Sequence, residues 1–261
     1  VSAPEPARPG RLILVPNTLD LGASPVPLQD VLPAAVIAQA AALRHWACED
    51  ARSTRAFLKR VDALSPLAMP LQALDITELP RPRKGSQEEV PASAWQALLA
   101  PALAGHDVGL LSEAGMPAVA DPGAALVAAA HANGIPVVPL AGPSALLLAL
   151  AASGLNGQSF AFVGYLPQDA AARSTRIKEL EAISRRAHQT QMCIETPYRN
   201  AALMAALQQN LAPQTRLSVS SGLSLPQAWT CSQTVAQWRR QPVGGAALSD
   251  KLPAVFLWLA G

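Results

Sequence analysis

The chain has 261 residues, half of them hydrophobic and 15% charged, with a formal net charge of +2. Such a composition excludes a disordered chain, which carries few apolar residues and a strong net charge. It also argues against a protein that grips nucleic acid through a broad basic face. Aromatic residues make up only 4%, and alanine and leucine supply most of the hydrophobicity, which favours helices packed on a sheet. The three cysteines, Cys48, Cys193 and Cys231, are far apart and odd in number, so they read as buried thiols of a reducing compartment. No apolar run reaches the roughly 18 residues of a membrane span. The opening VSAPEPARPG is rich in proline and lacks an apolar core, so it reads as a loose tail and not a signal peptide. A cytoplasmic protein is expected.

In chain order, Leu12 to Val15 is a first strand, ended by Pro16-Asn17, and Val31 to Leu43 has helical spacing after Pro33. An apolar strand through His45-Trp-Ala-Cys48 leads into Glu49-Asp-Ala-Arg-Ser-Thr-Arg55, with two carboxylates and two arginines in a short space. Asp50 or Ser53 would cap the helix that runs through Lys59. A strand-to-helix turn also sets side chains at a crevice mouth, so Asp50 carries a chemical reading beside the capping one. Arg52 and Arg55 either hold a substrate phosphate or pair with Glu49 and Asp50. Leu67 to Leu74 is expected to hold a strand. The polar, proline-broken run from Glu78 to Glu89, with Arg81, Arg83 and Lys84, reads as a surface loop. Ala92 to Leu103 supplies a helix.

The stretch from Asp107 to Ala145 organises the chain. Val108 to Leu111 suits a buried strand, Ser112 to Gly123 is rich in turn residues, and Ala124 to Ala132 is a helical pattern closed by Asn133-Gly134. A second apolar run, Ile135 to Leu140, ends in Gly142-Pro143-Ser144-Ala145. Strand, helix and strand make a βαβ unit with parallel strands. Open α/β sheets take ligands outside the carboxyl ends of their strands, so the two loops, side by side, are the expected site. Gly115 gives its loop a conformation or a close approach that a side chain would block, and Pro117 and Pro122 stiffen it. Asp121 either caps the following helix or touches a ligand. Ser144 is placed to cap a helix from Ala145 to Ala152.

Beyond Asn156-Gly157, Phe160 to Val163 is a strand leading to Gly164-Tyr-Leu-Pro167. Arg173 to Arg186 is a charged helix, read as a solvated face with an RNA-facing rim as the alternative. Met192 to Ile194 is a strand entering Glu195-Thr-Pro-Tyr-Arg199, and Tyr198 and Arg199 open a helix through Leu211. Leu217 to Ser221 alternates like a strand, Gln233 to Trp238 starts a helix, 242–250 is loop, and Pro253 to Leu259 is a last strand. The chain has no G-x-G-x-x-G, Walker loop, H-E-x-x-H or G-x-S-x-G. Its four histidines show no ligand spacing, so no metal is expected.

SEAGMPAVADPG followed by AGPSA resembles the S-D-A-G-x-P-x-x-x-D-P-G and P-G-P-S-A signatures of the tetrapyrrole methylase superfamily. Glu49 to Arg55 is similar to that family's A-E-D-T-R-x-T-R, and Glu195 to Arg199 to its Y-E-S-P-H-R. The resemblance implies two α/β domains, placed at 11–156 and 157–261 behind a tail at 1–10, with S-adenosylmethionine (SAM) folded into the cleft between them. Its nearest branch methylates a ribose 2′-hydroxyl in small-subunit ribosomal RNA. By resemblance, Ala114, Met116 and Val119 line the methionine end of SAM, with Ser112, Glu113 and Gly115 in the same loop. Pro143, Ser144 and Ala145 fall near the adenosine, and Pro16 and Glu195 complete the cofactor set. Arg52, Arg55, Tyr198 and Arg199 fall to the substrate. For a hydroxyl acceptor, Asp50 is the candidate base and Glu49 the second.

Departures from the family bear on the acceptor. Only Pro16 of the family's T-P-I-G-N-L loop is in register, tyrosine replaces histidine at 198, and Ser220 to Trp229 carries no charge where the ribosomal branch has R-E-L-T-K-x-x-E-E. RNA or a ribosomal subunit is the expected substrate and a homodimer the expected assembly. The alternatives are a methyltransferase for a tetrapyrrole or other small molecule, or a non-catalytic SAM-binding module.

Overall fold

The computed structural model describes residues 8–20, 26–81, 90–240 and 248–261. Most of the expected tail, Ala23 to Pro25, Arg83 and Lys84, and most of the 242–250 loop lie outside the described residues. The chain divides into two compact units, Val1–Pro143 and Ser144–Gly261.

In the first unit, strands and helices alternate: β1 (Leu12–Leu14), α1 (Ala34–Ala42), β2 (His45–Cys48), α2 (Ala51–Asp62), β3 (Asp75–Glu78), α3 (Ala92–Leu103), β4 (Val108–Leu111), α4 (Ala124–Ala132) and β5 (Val137–Pro139). The five strands run parallel in the order β3-β2-β4-β1-β5. Successive strand residues point to opposite faces. Ile13, Trp46 and Leu111 therefore pack with Ile37 of α1 and Leu58 of α2. Leu12, Ala47 and Leu110 pack with Leu99 of α3 and Leu126 of α4. Both faces are covered, as a parallel sheet requires.

Two expectations change here. The strand expected at Leu67 to Leu74 lies at Asp75–Glu78, and Leu71–Ala73 is a 3-10 turn. Pro70 opens that turn with φ near −51°, and β3 is set by pairing with β2 (His45 opposite Asp75) and not by its own apolar content. The strands that carry the two site loops are also not neighbours, because β1 lies between β4 and β5, yet the loops themselves meet beyond the strand ends, where a Cβ on Gly115 would stand 3.4 Å from Pro143 O.

The second unit contains α5 (Ala145–Ser153), β6 (Phe160–Phe162), α6 (Ala170–Ala187), β7 (Thr190–Glu195), α7 (Asn200–Asn210), β8 (Arg216–Ser221), β9 (Trp229–Thr234), α8 (Val235–Arg240) and β10 (Ala254–Leu259). Its five-stranded sheet has the order β6-β7-β10-β8-β9, parallel only at β6-β7. Strand β9 was not expected, and it takes Gln233 and Thr234 from the expected helix. The pairing Arg216 opposite Thr234 through Ser221 opposite Trp229 outweighs the short helical pattern. Leu146, Ala149 and Leu150 of α5 pack on Met192, Val255 and Leu257. Helix α5 thus belongs to the second unit, and the division falls at 143/144, earlier than 156/157. Among the described residues, no helix is long and apolar enough to cross a membrane.

Candidate functional site

Strand order locates the crevice of the first sheet. From β1 the chain crosses over β4 to reach β2, whereas from β4 it crosses over β1 in the opposite direction to reach β5. Connections diverge between β1 and β4, and ligands of open α/β sheets bind outside such a switch point.

The loop after β1 is packed away from solvent, with Asn17, Thr18 and Asp20 all under 7% exposed. Asn17 clamps the loop after β4: its Nδ2 donates to the carbonyls of Ser112 (3.1 Å) and Glu113 (3.0 Å), and its backbone N–H to Gly115 O (2.9 Å). The Gly115 N–H donates back to Thr18 O. Arg60 of α2 holds the same loop from below, pairing with the buried Asp20 carboxylate at 3.0 Å and donating to Thr18 Oγ1 and Val26 O. On the other side of β1, Gly142 lies against Pro16 so closely that a Cβ would stand 2.2 Å from the proline Cβ. The β1 loop thus braces both loops of the expected site, Ser112–Gly123 and Gly142–Pro143.

Gly115 has φ +68°, the left-handed conformation its position was expected to need. Ala118 (φ 65°) and Ala120 (φ 63°) share that region without being glycine. Such residues are strained and cluster where a loop must hold a particular shape. Val119 between them is exposed, Met116 and Ala114 are half-buried, and Ser112 is buried with its Oγ donating to Ala114 O.

The end of β2 supplies charge. Glu49 Oε2 accepts the Glu113 N–H at 3.2 Å, and Arg81 donates to Glu49 O at 2.8 Å. Asp50 is the N-cap of α2, its Oδ1 accepting the Ser53 N–H at 2.6 Å. That bond holds the Asp50 carboxyl below the usual aspartate range, which makes it a weaker proton acceptor. Arg52 and Arg55 are exposed, and among the described residues neither forms an ion pair with Glu49 or Asp50; Arg55 turns back to Ala51 O.

Asp121 does not cap α4. Gly123, at φ 129°, takes the cap position, and no side chain bonds to the first turn. The Asp121 carboxylate is half-buried, and it feels the Ser112 side chain and the charges of Glu49 and Glu113. Burial first, then the Glu49 charge, pushes its pKa up to about 6. Burial and the charges of Glu49 and Asp50 also raise Glu113.

In the second unit, Ser144 stands at the N-cap of α5 without the expected side-chain bond, and Ala145 follows as its first helical residue. Glu195 ends β7 almost fully buried. Its Oε1 accepts the Thr196 N–H (2.7 Å) and both Nη2 (2.7 Å) and Nε (3.0 Å) of Arg199. Tyr198 is exposed, with the Arg199 guanidinium 5.7 Å from its ring centre. Pro197–Arg199 is a 3-10 turn, and α7 begins only at Asn200.

Asn17, Thr18, Asp20 and Arg60 are the parts of the site not read from the sequence. One signal was available: Asp20 sits between Leu19 and Leu21, and a charge inside an apolar run, once buried, needs a partner.

A family model described as Tetrapyrrole (Corrin/Porphyrin) Methylases matches residues 31–237. The chain is 35% identical over 178 residues to the ribosomal RNA small subunit methyltransferase I of Mesorhizobium japonicum, covering 68% of this chain and 54% of that protein. With the protein of the same name from Vibrio cholerae it shares 41% over 104 residues, 40% of this chain and 35% of the relative. The match thus spans about half, or less, of the length of these curated relatives. Among solved structures, the methyltransferase CobJ superposes with a TM-score of 0.54 at 15% identity, covering 97% of this chain and all of that one. Uroporphyrin-III C-methyl transferase of Thermus thermophilus, complexed with S-adenyl homocysteine, gives 0.50 at 17% identity over 96% and 97% of the two chains.

Proposed function

The chain belongs to the tetrapyrrole (corrin/porphyrin) methylase family, and from that premise we propose that it is a SAM-dependent methyltransferase acting on RNA, at a ribose 2′-hydroxyl of small-subunit ribosomal RNA. The observation that carries this is the Ser112–Gly123 loop, which bears the family's signature and is clamped by the β1 loop at the switch point of the first sheet. The RNA acceptor is supported by the names of the curated relatives.

SAM supplies a methyl group on a cationic sulfur. The residues present suit it, because its sulfonium and ammonium are cations and Glu49, Glu113 and Asp121 set carboxylates around the loop. In the first unit, Pro16, Pro143 and the loop residues Ser112, Glu113, Ala114, Gly115, Met116 and Val119 are the cofactor contacts we assign. The backbone there is held from behind, so a bound methyl would be aligned rather than mobile. In the second unit, Ser144, Ala145 and Glu195 as cofactor contacts, and Tyr198 and Arg199 as acceptor contacts, rest on the resemblance. Arg52 and Arg55 are exposed cations suited to substrate phosphates. A cytoplasmic homodimer accords with the same family reading.

A second reading, a SAM-binding module without catalysis, is favoured by the uncharged Ser220–Trp229 segment and by Glu195, whose Oε1 is occupied by Arg199. Calorimetry with SAM followed by tritiated-methyl transfer separates the two, with deproteinised small-subunit ribosomal RNA, intact small subunits and a uroporphyrin as acceptors. Transfer to RNA is expected. Transfer to the uroporphyrin alone would reassign the substrate, and binding without transfer to any acceptor would establish the second reading.

A further inference from the structure

We propose that the solvent face of α2 is a phosphate track, along which the sugar-phosphate backbone of the RNA lies as it leaves the Ser112–Gly123 loop; this inference rests on the RNA-methyltransferase reading of the site. Helix α2 buries Thr54, Phe57, Leu58 and Val61. At about 100° per residue, Arg52, Arg55 and Lys59 fall within about 60° of one another on the opposite side of the helix, and all three are exposed. From Arg52 to Lys59 the helix rises about 10 Å, which spans about three phosphates of one strand along a duplex axis.

This stripe is held against the electrostatics of the helix itself. Arg52 and Arg55 are three residues apart, Arg55 and Lys59 four, and like charges at those spacings repel. Arg52 also lies in the first turn, which has no acidic residue, and a cation there opposes the helix dipole. Ion pairs do not offset the cost: among the described residues, none of the three cations forms one. The carboxylates around the helix are turned to backbone N–H groups instead. Asp50 accepts from Ser53, Glu78 from Ala51, Asp62 from Leu67 and Glu49 from Glu113. A polyanion lying along the face would satisfy all three cations at once.

Placement ties the stripe to the site and to RNA. Helix α2 starts at the carboxyl end of β2, and Glu49, the residue before its cap, accepts the Glu113 N–H of the signature loop at 3.2 Å. Arg52 is therefore the end of the stripe nearest that loop and Lys59 the far end. A small anionic acceptor would need only the cations beside the loop, whereas a polymer of phosphates reaches Lys59 as well. A net charge of +2 for the whole chain is compatible with such a narrow track, though not with a broad basic face.

The test measures binding of the full chain to deproteinised small-subunit ribosomal RNA across salt concentrations, without SAM. The triple variant Arg52→Gln/Arg55→Gln/Lys59→Gln keeps helix propensity and should reduce the steepness of log Kobs against log salt by about 2–3. Its affinity should fall about 100-fold near 0.1 M salt, the two curves converging towards 1 M. Arg52→Lys/Arg55→Lys keeps the charges and should keep the slope. The comparison triple Lys178→Gln/Arg185→Gln/Arg186→Gln removes the same charge from α6 and should leave the slope as it is in wild type. With its like-charge neighbours relieved, the α2 triple should melt at or above the wild-type Tm and bind SAM as wild type does. An unchanged slope in the α2 triple, or equal losses in the two triples, overturns the track while leaving the methyltransferase reading in place. A lowered Tm in the α2 triple would show that these cations serve the fold, which overturns it too. A wild-type chain that binds no RNA, or that methylates only a uroporphyrin, overturns both the track and the RNA reading.

Discussion

Replacing Asp121 by asparagine should make the protein more stable at neutral pH. In the unfolded chain this carboxyl titrates near 3.8, and in the folded one it is pushed up to about 6 by burial and by the Glu49 and Glu113 charges. Its raised pKa means that the folded state holds the proton more tightly than the unfolded state. The associated stability is present below about pH 4 and is lost as pH rises through 6. Two pKa units correspond to at most about 3 kcal/mol. Asp121 is only half-buried, so solvent screening cuts the figure to about 1 kcal/mol. An asparagine keeps the shape and a partner for Ser112 without the charge, so the variant should gain about that amount above pH 7. For a chain of this size the gain is about 2–4 °C in Tm. Thermal melts of both proteins at intervals from pH 4 to pH 8 read the effect directly. The melting curves should converge as pH falls through 6 towards 4. If asparagine instead lowers Tm at pH 8, with the gap closing at low pH, Asp121 is a stabilised carboxylate and the electrostatic picture of the loop is wrong.

Three further perturbations probe the frame around it. Asn17→Ala strips the carbonyls of Ser112 and Glu113 of their side-chain donor and should cost about 1–3 kcal/mol in denaturant unfolding, with SAM affinity reduced in parallel; unchanged affinity would show that the loop keeps its shape unaided. Gly142→Ala places a Cβ 2.2 Å from that of Pro16 and should destabilise by about 1–3 kcal/mol, as overpacking does; a neutral result means that the two loops separate freely. Asp50→Ala removes the cap of α2 and should cost about 1 kcal/mol, while Asp50→Asn restores the cap and should retain methyl transfer. Loss of transfer in Asp50→Asn at unchanged stability would identify Asp50 as the base.

How much could be read in advance differs between the two units for a physical reason. In the first, the strands other than β3 are short apolar runs, and helices such as Ala124–Ala132 begin and end where glycine and asparagine punctuate them. Local signals there agree with the tertiary arrangement. Strand β3 escaped because it lies at the sheet edge, is mostly exposed, and owes its conformation to pairing with β2. Strand β9 escaped for a related reason: Trp229–Thr234 is half-buried throughout, so it lacks the apolar alternation that marks β8, and only its register with β8 defines it. The site divides in the same way. Gly115 and the cap at Asp50 follow from local backbone demands, which residue type reveals. The clamp of Asn17 on Ser112 and Glu113 spans 95 and 96 residues of sequence, and no local pattern encodes it.

The β1 loop departs furthest from the family's pattern, yet it holds the site together, and its position explains how both are true. Strand β1 lies between β4 and β5, so whatever follows it must touch the loops that leave both neighbours. Backbone atoms do part of that work: the Asn17 N–H and Thr18 O bind Gly115, and these contacts do not depend on side-chain identity. What depends on sequence is the fastening of the loop to the helix layer, done here by Arg60 on the buried Asp20. A buried carboxylate left without that partner is strongly destabilising, by about 3–5 kcal/mol. Exchange of the loop for the family's T-P-I-G-N-L sequence without altering Arg60 should therefore weaken folding by leaving the partly buried Arg60 without its carboxylate. Exchange of both together should restore folding and SAM binding, measured by thermal melts and calorimetry. Recovery by the loop alone would mean that the Asp20–Arg60 pair is dispensable and that the backbone contacts to Gly115 suffice.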